Sequence, residues 1–216
     1  YNGGTTWTQV INPVVWEGTR ALYVSHNYLL MGDITWDLMG RWDGSTFYKD
    51  QSVIEGCCIY DYQDYGSYVY ASAYDGRLWQ SPNAINWNVV LNYYDGNMWE
   101  LEAFQNKLYM SYNSGELRAY DGTGDLRGKL VYTATDGIIS MVTGSKYLYF
   151  GTGGAAYDFE GENTGIASVY RYDGTSVELI SNVDEMVTGV QVLYVLRQKR
   201  VMAECIKAEI LWKKGE

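Results

Sequence analysis

The sequence predicts an all-β protein built from one four-stranded sheet repeated along the chain. Three observations carry that prediction. Short alternating segments recur at near-constant spacing: YLLMG (28–32), SYVYA (67–71), KLYMS (107–111), YLYFG (147–151) and VLYVL (192–196), whose starts lie 39, 40, 40 and 45 residues apart. An aromatic-Asp-Gly-hydroxyl element recurs with them, in GRWDGSTFYKD (40–50), LRAYDGTGDLR (117–127) and YRYDGTSVELI (170–180), with a relative in YNGGTTWTQV at the start. The composition agrees: 24 Gly, 22 Tyr and 8 Trp but 2 Pro, with 47% hydrophobic and 19% charged residues. Aromatic residues favour strands, and glycines supply tight turns between them.

Each unit divides into four strands, A to D, joined by short connections as antiparallel hairpins require. In the first unit A lies near TRALYVS, B is YLLMGDI, C is LMGRW and D is STFYKD. The second reads GCCIYDY, SYVYASAY, RLWQS and NWNVVLN, and the third MWELEAF, KLYMSYN, ELRAY and RGKLVYTA. The fourth reads GIISMVTG, YLYFGTG, ASVYRY and SVELIS. The Asp-Gly element falls at the C-to-D connection, where Asp-Gly suits the positive φ angles of a two-residue hairpin turn. Gly44, Gly122 and Gly174 are thus expected in equivalent turns. The aromatic before the turn and Phe47, Trp87, Val177 and Trp7 after it are expected to pack between sheets. Tyr74-Asp75-Gly76 and Tyr94-Asp95-Gly96 fall elsewhere in the unit, after strand B and between units.

A period near 40 residues with four strands each is that of a β-propeller blade. The fifth unit has A and B strands at 185–196, and the chain begins with a D-like strand lacking its own A, B and C. The economical arrangement is a five-bladed β-propeller, a single domain over 1–216, whose ring is closed by the N-terminal strand at 5–11. Closure protects edges that would otherwise stand open. Residues 197–216 fit either a strand of the last blade, or a terminal helix or tail: Met202, Ile206 and Ile210 have helical spacing, while Leu211-Trp212-Lys213 echoes Leu78-Trp79-Gln80.

The formal net charge is -10. It argues against a nucleic-acid partner, which needs a basic surface. No stretch approaches the length of an apolar membrane span, so no membrane insertion is expected. Cys57, Cys58 and Cys205 form neither a disulfide framework nor a zinc pattern. Neighbours on a strand point to opposite faces, so Cys57 and Cys58 are not expected to pair. Buried free thiols are the first expectation, with a Cys205 bridge to one of the two as the alternative.

LYFGTGG followed by VYRYDGTS resembles bacterial or viral β-propellers with Kelch-like repeats, and LWQSPNAINWNVV is similar to an Asp-box hairpin. Asn83 stands where that box has Asp, and Ala84 where it has Gly. The resemblance covers most of residues 1–195. It implies a propeller, with the boxes structural and common to sialidases, lectins and adhesins alike. Five short blades also resemble tachylectin-like sugar-binding propellers in architecture. The implied setting is secreted, cell-surface or virion-associated.

The candidate sites follow from this frame. GGAAYDFEGENTGIAS (153–168) lengthens the B-to-C connection of the fourth unit, and long loops on a rigid scaffold carry function. B-to-C and D-to-A connections share one end, the top face. Asp158, Glu160, Glu162 and Asn163 alternate as oxygen ligands suited to calcium. The alternative is a solvated acidic loop. Tyr157 and Phe159 are the expected stacking platforms for a glycan or protein ligand. Among the tyrosines of 60–74, most are expected between blades and some at a rim. Glu55, Asp61, Glu100, Glu102, Asp136, Asp184 and Glu185 lie near A strands and carry the alternative of a glycoside-acting hydrolase. Arg41, Arg77, Arg118 and Arg171 sit beside turns and read as structural. His26 reads as a surface residue without the partners of a catalytic triad. The expected function is a non-catalytic binding module. A hydrolase and a purely structural propeller are the alternatives.

Overall fold

The alternating segments form strands because every second side chain can be buried, and the turn residues between them accept conformations that end a strand. The structure, a computed structural model, describes residues 19–33, 39–50, 58–92, 96–153 and 167–183. The first sheet comprises β1 (Thr19–Ser25), β2 (Tyr28–Asp33), β3 (Met39–Trp42) and β4 (Phe47–Asp50). The second comprises β5 (Ile59–Tyr65), β6 (Tyr68–Ala73), β7 (Arg77–Ser81) and β8 (Asn88–Asn92). The third comprises β9 (Met98–Phe104), β10 (Lys107–Tyr112), β11 (Glu116–Tyr120) and β12 (Lys129–Thr133). The fourth comprises β13 (Gly137–Thr143), β14 (Leu148–Gly153), β15 (Ala167–Tyr172) and β16 (Val177–Val183). Each is an antiparallel meander in chain order. The segments expected to form a fifth sheet and the closing strand at 5–11, and the segment 197–216, lie outside the described residues. The described residues show four sheets and no closed ring.

The chain forms two compact units, 1–94 and 95–216. In the first, β1 and β2 pack against β5. Its core joins Leu30, Met39, Ile59, Tyr62, Val69, Trp79 and Trp87, with Tyr62 and Trp87 rings 5.9 Å apart. Truncating a buried aromatic of this kind costs about 3–5 kcal/mol. A polar latch joins the two first strands: the Ser25 hydroxyl donates to Asp64 Oδ1 at 2.6 Å, and the Asp64 amide donates to the Tyr23 hydroxyl at 3.1 Å. In the second unit β9 and β10 pack against β13 around Tyr109, Leu117, Ile138, Leu148, Phe150 and Tyr170. Phe150 and Tyr170 stack at 5.0 Å.

In all four sheets the first strand pair slips register near the start of its first strand, at Thr19/Ala21, Ile59/Asp61, Met98/Leu101 and Ile138/Ser140. A bulge leaves an amide needing another partner. In the third sheet the buried Ser111 hydroxyl accepts from the Glu100 amide at 3.0 Å.

The turns correct one expectation. The C-to-D connections of the first and fourth sheets are four-residue loops, 43–46 and 173–176, not two-residue turns. Only the glycine takes a positive φ, +100° at Gly44 and +104° at Gly174. The aspartate works through its carboxylate. Asp43 Oδ1 accepts from the Ser45 amide and hydroxyl, both at 2.8 Å, and from the Thr46 amide at 2.7 Å. Asp173 Oδ1 accepts from Thr175 and Ser176 in the same way. Gly122 shares the positive φ, +89°, at the start of a longer loop, with Thr123 donating to Asp121. In the degenerate box Asn83 Oδ1 accepts from the Ile85 and Asn86 amides, and Ala84 itself takes φ +59°. Two-residue turns with both φ values positive occur instead at the A-to-B connections, at His26-Asn27 and Gln105-Asn106. Such a turn does not need glycine where its neighbours hold it in place.

The three cysteines also correct an expectation. Cys58 is disulfide-bonded, not a free thiol; Cys57 and Cys205 lie outside the described residues. Of the six tyrosines in 60–74, Tyr60, Tyr62 and Tyr70 are buried, while Tyr68 and Tyr74 are exposed. Tyr74 meets Tyr60 edge-on at 5.9 Å, and Arg20 lies 3.9 Å over the Tyr60 ring.

Gly44 faces open space, whereas a Cβ on Gly174 would meet the Gln105 side-chain amide. That amide donates to the Asp173 carbonyl at 2.9 Å and ties the third and fourth sheets together. Gly44→Ala should cost about 1–3 kcal/mol through φ alone, and Gly174→Ala should cost more. Urea unfolding with Gln105→Ala as background checks this: the difference between the two glycines should disappear when the amide is gone. Equal costs in the parent background would count against the packing role.

Hydrogen bonds hold the Asp43 and Asp173 carboxyls well below the ordinary value of 3.8, led by the Thr46 and Ser176 amides respectively. A carboxyl depressed on folding contributes stability above its unfolded value and loses it as pH falls through the folded one. Melting temperature should therefore fall below about pH 4. Asp43→Asn with Asp173→Asn should flatten that fall, because Asn83 shows that an amide oxygen can accept from the same loop amides. A pH–melting series that is unchanged in the double variant would reject this assignment.

Candidate functional site

The residues expected to bind a ligand or metal at 153–168, namely Tyr157, Phe159, Asp158, Glu160, Glu162 and Asn163, lie outside the described residues. Their flanks are placed: β14 ends at Gly153 and β15 begins at Ala167, so the segment between them is the B-to-C connection of the fourth sheet. Among the described residues no group of three His, Cys, Asp or Glu side chains could hold a metal ion.

Of the A-strand carboxylates, Asp61, Glu100, Glu102 and Asp136 are placed, and Glu55, Asp184 and Glu185 lie outside the described residues. Glu102 serves packing. Its Oε1 accepts from the Thr143 amide at 2.6 Å, while the Thr143 hydroxyl donates to the Ala103 carbonyl at 3.1 Å. Burial pushes the Glu102 carboxyl up from its ordinary value, against the pull of those hydrogen bonds. It latches β9 to β13 much as Asp64 latches β5 to β1. Asp136 accepts from the Thr135 hydroxyl at 3.3 Å.

The arginines are held within their own sheets, as the sequence reading expects. Arg77 pairs with Asp75, Arg118 Nε meets Glu116 Oε2 at 2.8 Å, and Arg171 reaches Glu178 at 2.7 Å. Arg41 lies 4.2 Å over the Tyr48 ring and 5.1 Å over Tyr28. His26 is exposed on the β1–β2 turn, with Nδ1 2.7 Å from the Ser25 hydroxyl.

The structure adds a cleft that sequence reasoning missed. It lies in the second unit, between β12 and the β15–β16 hairpin, with a volume of about 430 Å³. Ala119, Val131 and Val177 line its apolar part, Tyr132 and Tyr172 its aromatic part, and Lys107, Lys129, Asp121 and Thr175 its mouth. Burial pushes the Tyr132 and Tyr172 hydroxyls up from their ordinary value. The Tyr172 hydroxyl donates to the Gly174 carbonyl at 2.7 Å. The available signal was a comparison of equivalent positions across the repeats, rather than a motif.

No known family profile matches the sequence, and no curated protein matches it. Solved structures do. The chain is similar to the computationally designed Ika4 protein, with a TM-score of 0.51 and 14% identity over 76% of this chain and 98% of that one. The computationally designed Ika8 protein follows at a TM-score of 0.49 and 16% identity, over 78% of this chain and 64% of that one. The WD40 β-propeller domain of Doa1 follows at 0.48 and 10%, over 83% and 72%. At such identities the Ika4 likeness concerns fold and carries no activity with it. Consecutive four-stranded meanders, paired through their first strands within each unit, fit the blades of a propeller.

Proposed function

We propose that the protein is a non-catalytic binding module, a five-bladed propeller closed by residues 5–11, which takes a glycan or a protein ligand on its top face. The observation that supports this most is the commitment of charged strand residues to the scaffold. Glu102 and Asp64 latch neighbouring sheets, and Arg77, Arg118 and Arg171 pair with acids of their own sheets. The B-to-C connections of the second and third sheets are short turns, 74–76 and 113–115, and that of the fourth sheet is the long one. Tyr157 and Phe159 are its stacking side chains. Asp158, Glu160, Glu162 and Asn163 offer oxygen ligands to calcium. The acidic chain favours a neutral glycan or a basic protein patch over a polyanion. The Kelch-like and Asp-box-like elements are structural in this reading, and the setting is extracellular, cell-surface or virion-associated.

Ring closure is tested by truncation. Removing residues 1–11 should lower the melting temperature markedly, because the last blade loses its outer strand. An unaltered melting temperature would reject closure by this strand.

The binding face is tested by replacing 156–165 with a short glycine bridge. Circular dichroism should report an unchanged fold, while glycan-array and partner binding are lost. Calcium should raise the melting temperature of the parent and leave the deletion unmoved. A folded deletion that binds as the parent does would remove this face, and a parent indifferent to calcium and chelator would leave the segment a solvated acidic loop.

A further inference from the structure

The first sheet shows how the wall next to such a cleft is otherwise filled. Leu30, Arg41 and Tyr48 stand opposite one another across β2, β3 and β4. Tyr109, Ala119 and Lys129 stand the same way across β10, β11 and β12. Tyr28 and Lys107 begin β2 and β10, two residues before Leu30 and Tyr109. Tyr28, Arg41 and Tyr48 of the first sheet therefore correspond to Lys107, Ala119 and Lys129 of the third. In the first sheet the planar Arg41 guanidinium lies over both flanking tyrosine rings. In the third the middle residue ends at Cβ, and ammonium groups replace the rings.

The facing wall changes as well. Gln80 pairs with Asn88 and Arg171 with Glu178, so Val177 occupies the position of Trp87 in the second sheet. The cleft is what Ala119 and Val177 leave open. Two strand spacings and a two-residue offset along the strand set the Lys107 and Lys129 Cα atoms about 12 Å apart, either side of β11. Neither lysine forms an ion pair among the described residues. Asp121 at the mouth is attracted by Lys129, but its Oδ1 accepts from the Thr123 amide and hydroxyl.

We propose that this cleft binds an aromatic carboxylate, with its ring over Ala119 against Tyr172 and Val177 and its carboxylate between Lys107 and Lys129. The pattern inverts that of the first sheet: there a planar cation lies between two rings, and here a planar anion lies between two cations. Planarity suits a gap whose equivalent holds a guanidinium. The carboxylate adds a second counter-charge for the two lysines beside Asp121, whose Oδ1 is already taken up by Thr123. The site lies at the C-to-D end of the sheets, opposite the B-to-C loops, so it stands independently of the top-face reading.

The test titrates benzoate, benzyl alcohol, benzylamine and glucuronate into the full chain and follows the amide resonances of Ala119, Thr175 and Val177. Benzoate should shift them saturably, more weakly at high salt. Benzyl alcohol should bind at least roughly tenfold more weakly, and benzylamine should not bind. Glucuronate, with the same charge on a puckered ring, should bind more weakly than benzoate. Ala119→Arg should fill the gap and abolish binding. Lys107→Gln with Lys129→Gln, which leaves the core untouched, should reduce benzoate to the affinity of benzyl alcohol. Benzoate and benzyl alcohol binding alike to the parent, benzoate affinity surviving the double lysine change, or glucuronate binding the tighter, would overturn the proposal.

Discussion

A Cβ added at Gly32 would lie 2.8 Å from Ile59 Cβ. That close approach of β2 to the start of β5 is the constraint on which the first unit depends. A four-stranded meander has two faces, and one sheet alone cannot bury either. Bringing the backbone of one sheet onto the first strand of the next lets Leu30, Tyr62 and Val69 share a core. The second unit solves the same problem between β9 and β13 with a different latch, Glu102 to the Thr143 amide instead of Ser25 to Asp64. In both, a carboxylate near the end of a first strand joins neighbouring sheets.

Against that constant frame, the turns and the walls between sheets are where the repeats differ. The Asp-Gly-hydroxyl loops are closed by a carboxylate accepting from the amides two and three residues on, a local bond that does not depend on neighbouring sheets. Asn83 and Ala84 keep the same geometry with different residues. The wall positions vary in volume and charge instead, from Tyr28, Arg41 and Tyr48 in one sheet to Lys107, Ala119 and Lys129 in another. Repetition thus supplies a scaffold whose equivalent positions can be filled in one unit and left open in the other.

The sequence by itself determined where the strands lie. β1, β7, β9, β11 and β15 match their predicted segments residue for residue, because a two-residue period read against glycine and aspartate punctuation is a local signal. It also identified Gly44, Gly122 and Gly174 as positive-φ positions and the four arginines as structural. It misread the turn class, since Asp-Gly is equally compatible with a two-residue turn and with a carboxylate-closed loop, and the register across the strands decides between them. The latches of Asp64 and Glu102, the disulfide state of Cys58 and the cleft over Ala119 were decided by tertiary structure alone. The latches and the cleft depend on which residues of different sheets come within hydrogen-bonding or packing distance. No spacing along the chain encodes a gap left by two small residues, Ala119 and Val177, that stand 58 positions apart.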